Sequence, residues 1–190
     1  MRFTTITALT TLAGLAAACP TPQPPVTNDP AYFSLLAIRS GSSIQYATFG
    51  AAKSSLFANL PAQNASCDAC GVNTATFTLK DGTLNLYAAS ATPQTFYVDR
   101  SGMGQGKLGY TTGAQPTPKN AERTGWNIKD GYLYFNEAGL IACPNSIDGA
   151  WSVWVSAGIE NPAGNSNCTP FAPKVQAIEK GRQIGCVYTE

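Results

Sequence analysis

The chain has 190 residues, of which 44% are hydrophobic and 12% are charged. The charged share is about half that of an average soluble protein, and the length suits one globular domain. The formal net charge is +1, so no excess of basic side chains is available to neutralise phosphates, and we expect no nucleic-acid partner. The sequence has no histidine, which excludes Ser-His-Asp and Cys-His catalysis and histidine zinc sites. We expect no metal and no cofactor.

Segment 1–18 has the pattern of a secretory signal peptide. Arg2 supplies a positive start, Phe3 to Leu15 is apolar apart from threonines, and Ala16-Ala17-Ala18 offers a cleavage site before Cys19. A membrane anchor is disfavoured because the apolar stretch is too short to span a bilayer. We therefore predict a secreted, extracellular protein with no membrane association after cleavage.

The mature chain is predicted to be all-β. Residues 19–30 form a Pro-rich lead-in, and residues 31–190 form a single compact domain. Gln176 to Lys180 is the only weak helical candidate. The strands are indicated by apolar–polar alternation and the turns by glycine-bearing pairs. The clearest strands are Phe77-Thr78-Leu79, Leu84-Asn85-Leu86, Phe96-Tyr97-Val98 and Trp151 to Val155, and the turns are Ser40-Gly41, Asp81-Gly82, Asp130-Gly131 and Asp148-Gly149.

A weak internal repeat indicates the architecture. The run from Phe77 to Leu86 matches the run from Trp126 to Phe135: each has an aromatic residue, Lys-Asp-Gly and then alternation. A looser copy runs from Phe33 to Gly41 and leads into Ile44-Gln45-Tyr46. Three similar hairpins slightly favour a β-trefoil-like barrel of pseudo-threefold symmetry over a β-sandwich, in which such hairpins are also common.

An even number of cysteines in an exported chain predicts disulfide bonds that stabilise the domain. A structural bridge between Cys67 and Cys70 is favoured over a redox or metal site, because the chain has neither a βαβ setting nor a second C-x-x-C. A weaker preference pairs Cys19 with Cys186, and the remaining pairing stays open. The six predicted disulfide cysteines are Cys19, Cys67, Cys70, Cys143, Cys168 and Cys186.

Two sequons predict N-glycosylation in polar, turn-rich stretches. Asn64 is the better candidate. Asn167 is followed by Cys168, and an early disulfide at that cysteine could block its use.

No catalytic constellation emerges from the motifs. Gly104-x-Gly106-x-x-Gly109 matches a dinucleotide fingerprint on paper, but no helix start follows it, so a flexible loop between strands is favoured. The carboxyls of a glycoside hydrolase would have to come from Asp81, Asp99, Asp130 and Asp148. Three of these precede glycine, as turn residues do, and Asp99 is expected to pair with Arg100 or to cap the loop. We predict no catalytic residues.

Aromatic side chains are the remaining candidates for binding. Trp126, Trp151 and Trp154, with Tyr97, Tyr110, Tyr132 and Tyr134, could form a platform for sugar rings. Trp151 and Trp154 lie on opposite faces of one strand, so one is expected in the core while the other is the candidate for glycan contact. Trp126 is expected in the core.

Three runs resemble a known family. They are Asp99-Arg-Ser-Gly-Met-Gly-Gln-Gly-Lys-Leu-Gly-Tyr-Thr-Thr-Gly-Ala-Gln-Pro116, Asn120-Ala-Glu-Arg-Thr-Gly-Trp126, and Leu140-Ile-Ala-Cys-Pro-Asn-Ser-Ile-Asp-Gly-Ala-Trp-Ser-Val-Trp154. They are similar to the PhiA family of cell-wall proteins from filamentous fungi. The resemblance implies a secreted wall glycoprotein with a role in phialide and conidium development, and some relatives are allergens. It transfers no catalytic residues.

Two hypotheses follow from these observations. The first is a non-enzymatic structural component of the wall, whose partners are wall polysaccharide or other wall proteins. The second is a small secreted glycan-binding module or, less favoured, a carboxylate-based glycoside hydrolase that acts on wall polysaccharide. An exposed row of aromatic side chains would favour binding, and a pair of carboxyls in one cleft would favour hydrolysis.

Overall fold

The computed structural model describes residues 29–89 and 92–190, so the predicted signal peptide and most of the Pro-rich lead-in lie outside the described residues. The described chain is built of β-strands joined by tight turns, with two short 3-10 helices, Ile147–Gly149 and Pro162–Gly164. The strands are β1 (Phe33–Ile38), β2 (Phe49–Ala52), β3 (Ser55–Ala58), β4 (Ser66–Cys67), β5 (Phe77–Lys80), β6 (Thr83–Leu86), β7 (Gln94–Asp99), β8 (Lys107–Thr112), β9 (Ala121–Glu122), β10 (Trp126–Lys129), β11 (Tyr132–Phe135), β12 (Leu140–Cys143), β13 (Trp151–Val155), β14 (Thr169–Ala177) and β15 (Cys186–Val187).

The main sheet closes on itself. Its strand order runs β1-β5-β6-β7-β8-β3-β13-β12-β14, and β14 returns to pair with β1 over six residue pairs. Closure removes the open edges that a sandwich would keep. The prediction of a single all-β domain built as a barrel is therefore confirmed.

Three strands of the barrel pair with one another. β3, β8 and β13 each pair with the other two, through Ser55 with Gly109, Trp154 with Lys107 and Trp151 with Ala58. The three strands therefore meet at one place in the wall of the closed barrel.

The predicted repeat is correct in two of its three copies. The β5–β6 and β10–β11 hairpins have the same register, with Phe77 opposite Leu86 and Trp126 opposite Phe135. The third copy is not such a hairpin, because residues 43–46 form a turn and β1 pairs with β14 instead. The weak helical candidate at Gln176 is also wrong, since β14 runs to Ala177.

Each Asp-Gly hairpin turn is determined locally by its sequence. Asp81 and Gly82 have φ angles of 49° and 72°, and Asp130 and Gly131 have φ angles of 52° and 80°. Two consecutive left-handed residues make the type I′ turn that matches the twist of a hairpin, and aspartate and glycine tolerate that conformation. The alternating apolar residues beyond each turn then point inward.

The core contains a connected aromatic cluster inside the closed barrel. Phe77 lies between Phe33 and Phe96, with ring centroids 5.8 Å and 6.0 Å away, and Phe96 meets the edge of Tyr110 at 5.6 Å. These residues come from β1, β5, β7 and β8, so the cluster joins distant parts of the chain. Trp126 is 2% exposed, which confirms that it belongs to the core.

The two disulfides differ from the predicted pairing. Cys67 bonds to Cys186, so both predicted bridges, Cys67–Cys70 and Cys19–Cys186, are wrong. The physical reason is strand pairing: Cys67 and Cys186 are directly opposite in the small β4–β15 sheet, with Cα atoms 4.0 Å apart. Cys70 lies in the turn beyond β4.

The second bond joins Cys143 to Cys168, a pairing that the sequence left open. It also crosses between neighbouring strands, because Ala142 of β12 is opposite Thr169 of β14. Both bonds therefore fasten strands that already lie side by side.

Candidate functional site

The glycines at positions 104, 106 and 109, which lie between β7 and β8 and within β8, are each constrained by packing. A Cβ atom on Gly104 would lie 2.4 Å from the backbone oxygen of Asp99, and one on Gly106 would lie 1.9 Å from the backbone oxygen of Val155. At Gly109 a Cβ atom would lie 2.8 Å from the ring of Tyr97. Each glycine is required because another group occupies the place of a side chain. The expected loop between strands is confirmed.

The four aspartates considered for hydrolysis have structural roles. Asp81, Asp130 and Asp148 are turn residues with left-handed backbones. Asp99 caps the loop, since its carboxylate accepts a hydrogen bond from the backbone N–H of Ser101 at 3.0 Å. Their positions are those of ordinary turn and cap residues.

Arg100 pairs with Glu122 rather than with its sequence neighbour. Its guanidinium donates two hydrogen bonds to the Glu122 carboxylate, at 2.8 Å and 2.6 Å. These hydrogen bonds lower the pKa of Glu122 and raise that of Arg100. The pair holds the short strand β9 beside β7, with which it forms a ladder.

The two candidate tryptophans present little free surface to a sugar ring. Trp151 is half-buried and packs against the main core, while Trp154 is 8% exposed and packs with Ile141 and Cys143 on the outer face. The Trp154 indole donates a hydrogen bond to Ser152 Oγ at 3.0 Å. The opposite placement of the two rings is as expected, but neither ring is a large exposed platform.

A lysine covers Trp154. The Lys107 ammonium lies 5.3 Å from the Trp154 ring centroid and donates a hydrogen bond to Ser55 Oγ at 3.1 Å. Burial lowers the pKa of Lys107, because desolvation disfavours its charged form. Its position over the indole is a cation–π contact that further shields the ring.

The outward tyrosines of β11 are two partly exposed aromatic residues of the predicted set that lie on one strand face. Tyr132 and Tyr134 alternate with the buried residues Leu133 and Phe135, so both phenol rings lie on the outside of the barrel and both are half-buried. Tyr110, by contrast, is 1% exposed, and burial raises its pKa above the ordinary range. Of the seven aromatic residues predicted for the platform, Tyr110, Trp126 and Trp154 are therefore buried, and Tyr132 and Tyr134 are the two half-buried ones that share one strand face.

Polar groups of β10 surround these rings. Asn127 is opposite Tyr134 and Lys129 is opposite Tyr132, which puts all four side chains on one outward face. We call this surface, with the adjacent Glu137, the hairpin face. Glu137 accepts hydrogen bonds from Asn127 at 3.1 Å and from Lys129 at 3.2 Å. These hydrogen bonds lower the pKa of Glu137 and keep its carboxylate ionised.

One polar atom of the hairpin face is unsatisfied. Asn127 Oδ1 is buried and has no hydrogen-bond partner among the described residues. Alternate residues on a strand have Cα atoms about 7 Å apart, so the two phenol rings can each cover the C–H face of a sugar. The nearby amide, ammonium and carboxylate can hydrogen-bond sugar hydroxyls. The arrangement therefore suits reversible binding of a carbohydrate chain.

Sequence reasoning had named the two tyrosines but missed Asn127, Lys129 and Glu137. Asn127 and Lys129 could have been predicted from the sequence, because the Asp-Gly turn fixes the register that puts them opposite the tyrosines. Glu137 could not have been predicted in this way, since it has a left-handed backbone in the turn after β11.

Both sequons are available at the surface. Asn64 and Asn167 are exposed, each with a left-handed backbone in a loop. Cys168, in the middle of the second sequon, is bonded to Cys143. Glycosylation at either site stays a prediction.

Among residues 29–89 and 92–190 there is no cluster of three or more acidic, cysteine or histidine side chains arranged to hold a metal ion. Within the same residues no helix has the length and apolar character needed to cross a membrane.

Comparison with known proteins identifies the family. The PhiA-like secreted protein family matches residues 33–189. "Cell wall protein phiA" of Aspergillus fumigatus is 57% identical over 92% of this chain and 91% of its own length. The proteins of that name from Aspergillus niger and Emericella nidulans are 53% and 49% identical, and they cover 93% and 100% of this chain and 94% and 100% of their own lengths. No solved structure matches significantly. The chain therefore belongs to the family of PhiA-like secreted proteins, and it is an extracellular protein of the cell wall.

Proposed function

We propose that this protein is a non-enzymatic structural component of the fungal wall that takes part in asexual development, in the formation of phialides and conidia. The observation that carries the proposal is near-full-length identity of 49–57% to proteins named for the cell wall. A mechanical role is supported by the closed barrel and its two cross-strand disulfides. Such a unit resists unfolding outside the cell, where disulfides persist.

The developmental part is tested by complementation. A filamentous fungus that lacks its own member of the family receives either this gene or an empty vector. We expect this gene to restore conidial number and phialide shape, with the protein retained in the washed wall fraction. Normal development of the deletion strain, or restoration by protein that is wholly released into the medium, would contradict the proposal.

The absence of enzymatic activity is tested on the same material. Purified protein is incubated with chitin, β-1,3-glucan and isolated wall, and the release of reducing ends is followed. We expect release no faster than with heat-denatured protein. Release that needs the folded protein would overturn the non-enzymatic assignment.

We propose glycan binding as a second function, supported by the hairpin face. Tyr132 and Tyr134 are adjacent outward rings beside hydrogen-bonding groups, whereas Trp154 is buried. A surface of this kind holds a polymer to the protein without any chemical step. It would explain retention in the wall by contact with polysaccharide.

The test is sedimentation with insoluble chitin, β-1,3-glucan and whole wall. Replacement of both tyrosines (Tyr132→Ala with Tyr134→Ala) should weaken binding about tenfold, equivalent to ~1.4 kcal/mol for two lost ring contacts. Tyr46→Ala is the matched control, because Tyr46 is 67% exposed in the β1–β2 loop and is not part of the hairpin face. Equal binding by the wild type, the double tyrosine variant and Tyr46→Ala would exclude the hairpin face as the glycan-binding site.

A further inference from the structure

The hairpin face continues across the neighbouring strand β14. Tyr132 is directly opposite Lys129 of β10 on one side and Lys174 of β14 on the other. Lys174 is in turn opposite Leu36 of β1, which forms an isolated bridge with Thr48. Residues that are directly opposite in a sheet project to the same face, so these five side chains form one row, which we call the lysine–tyrosine row.

The burial pattern places the lysine–tyrosine row on the outside of the barrel. Lys174 is exposed and Leu36 is half-buried, whereas the residues that precede them, Pro173 and Leu35, are buried. Neighbouring strands lie about 4.8 Å apart, so the four steps across the row cover about 19 Å. A row of this length can contact several consecutive sugar residues of a polymer.

The Lys174 ammonium is available to a ligand. Within residues 29–89 and 92–190 it forms no ion pair with a carboxylate. The alternate residues on either side of it along β14, Ala172 and Gln176, are uncharged, and so is Leu36 opposite it. Lys174 is therefore a cation beside an aromatic ring, and the strands that carry the row supply no anion next to it.

The second lysine of the row can exchange its partner. Lys129 pairs with Glu137 at 3.2 Å, and the two side chains are 60% and 67% exposed. An ion pair this open to water contributes little stability, so a carboxylate on a ligand can compete with Glu137 for the ammonium. The two acids of this hairpin, Asp130 and Glu137, belong to the turns before and after β11, and neither is part of the row.

We propose that the lysine–tyrosine row binds an acidic polysaccharide, with a sugar ring stacked on Tyr132 and a sugar carboxylate paired with Lys174. The proposal rests on the second proposed function, glycan binding by the hairpin face, and names the class of glycan. Ammonium groups on both sides of the ring complement carboxylates that repeat along a polymer. A neutral glucan would leave Lys174 without a counterpart.

The experiment compares two soluble polymers that differ in charge. Polygalacturonate carries a carboxylate on each sugar, and its fully methyl-esterified form is neutral. Binding of the secreted protein to each polymer is measured by affinity electrophoresis at low and at high salt. We expect the wild type to bind polygalacturonate about tenfold more tightly than the methyl ester at low salt. Added salt should reduce this preference, because exposed ion pairs are screened.

Variants of the exposed lysines locate the charge that is read. Lys174→Gln should weaken binding of polygalacturonate about fivefold and leave binding of the methyl ester unchanged. Lys174→Arg keeps the charge and should keep the preference. Lys80→Gln is the matched control, because Lys80 has the position in the β5–β6 hairpin that corresponds to Lys129 but is opposite Thr83 instead of a tyrosine. It should bind both polymers as the wild type does.

The outcomes separate this proposal from the glycan-binding function on which it rests. Equal binding of the two polymers by the wild type, or unchanged binding of polygalacturonate by Lys174→Gln, would overturn the acidic ligand. Glycan binding itself would still be supported if the double tyrosine variant lost binding to chitin, β-1,3-glucan or wall. If the wild type bound no polymer, or if the double tyrosine variant bound every polymer as the wild type does, both proposals would be overturned.

Discussion

Removal of the Cys67–Cys186 disulfide should cost more stability than removal of the Cys143–Cys168 disulfide. The two bonds close loops of very different length, with sequence separations of 119 and 25. In the chain-entropy model the loss is about 4.9 kcal/mol for the long loop and about 3.5 kcal/mol for the short one. The expected difference in the free energy of unfolding is thus about 1.4 kcal/mol.

Paired alanine variants isolate this effect. Cys67→Ala with Cys186→Ala is compared with Cys143→Ala with Cys168→Ala, so that no thiol is left behind. Cys186 and Cys143 are 1% and 0% exposed, so the packing losses at these two buried sulfur positions are similar and largely cancel. Loss of the Cys67–Cys186 disulfide should lower the melting temperature by about 10–20 °C, and loss of the Cys143–Cys168 disulfide should lower it by about 7–14 °C.

Equilibrium unfolding in guanidinium chloride measures both free energies. A peptide map of each variant first confirms that its remaining disulfide is intact. An equal cost for the two pairs, or a larger cost for the Cys143–Cys168 pair, would refute the entropic reasoning. It would instead place the stabilisation in native contacts around the sulfur atoms.

Two further predictions concern the β7–β8 region. Gly106→Ala should cost more than ~3 kcal/mol or prevent folding, because the new Cβ would lie 1.9 Å from the Val155 backbone oxygen at φ 91°. The control is Gly131→Ala in the β10–β11 turn, where φ is 80° and no atom lies within 4 Å of the new Cβ, so its cost in the free energy of unfolding should be only about 1 kcal/mol. Similar urea midpoints for the two variants would contradict this expectation. Lys107→Met should be at least as stable as the wild type near pH 7. Burial lowers the pKa of Lys107 in the fold below its ordinary 10.5, so its charged form disfavours folding and that penalty fades as the pH rises toward 10.5. Denaturation midpoints from pH 7 to 10 should therefore rise in the wild type relative to Lys107→Met, and parallel curves would exclude a desolvated charge.

The candidate site shows where local pattern is sufficient and where it is not. Alternation along β11 places Tyr132 and Tyr134 on one face, and the Asp-Gly turn fixes their partners across the hairpin. Which tryptophan is open to solvent does not follow from alternation, because Lys107 and the Cys143–Cys168 disulfide cover Trp154 from other strands. Gly104, Gly106 and Gly109 were visible as a motif, but the groups that require them, named above, come from β7 and β13.

The sequence by itself determined the features that depend on a few neighbouring residues. These are the all-β class, the Asp-Gly hairpins and the absence of imidazole chemistry, because turn geometry, period-two burial and side-chain type are local properties. Only the tertiary structure decided the pairing of Cys67 with Cys186, the turn in place of a third hairpin, and the burial of Trp154. Each of these depends on which distant strands lie side by side, and closure of the barrel, rather than any local preference, brings those strands together.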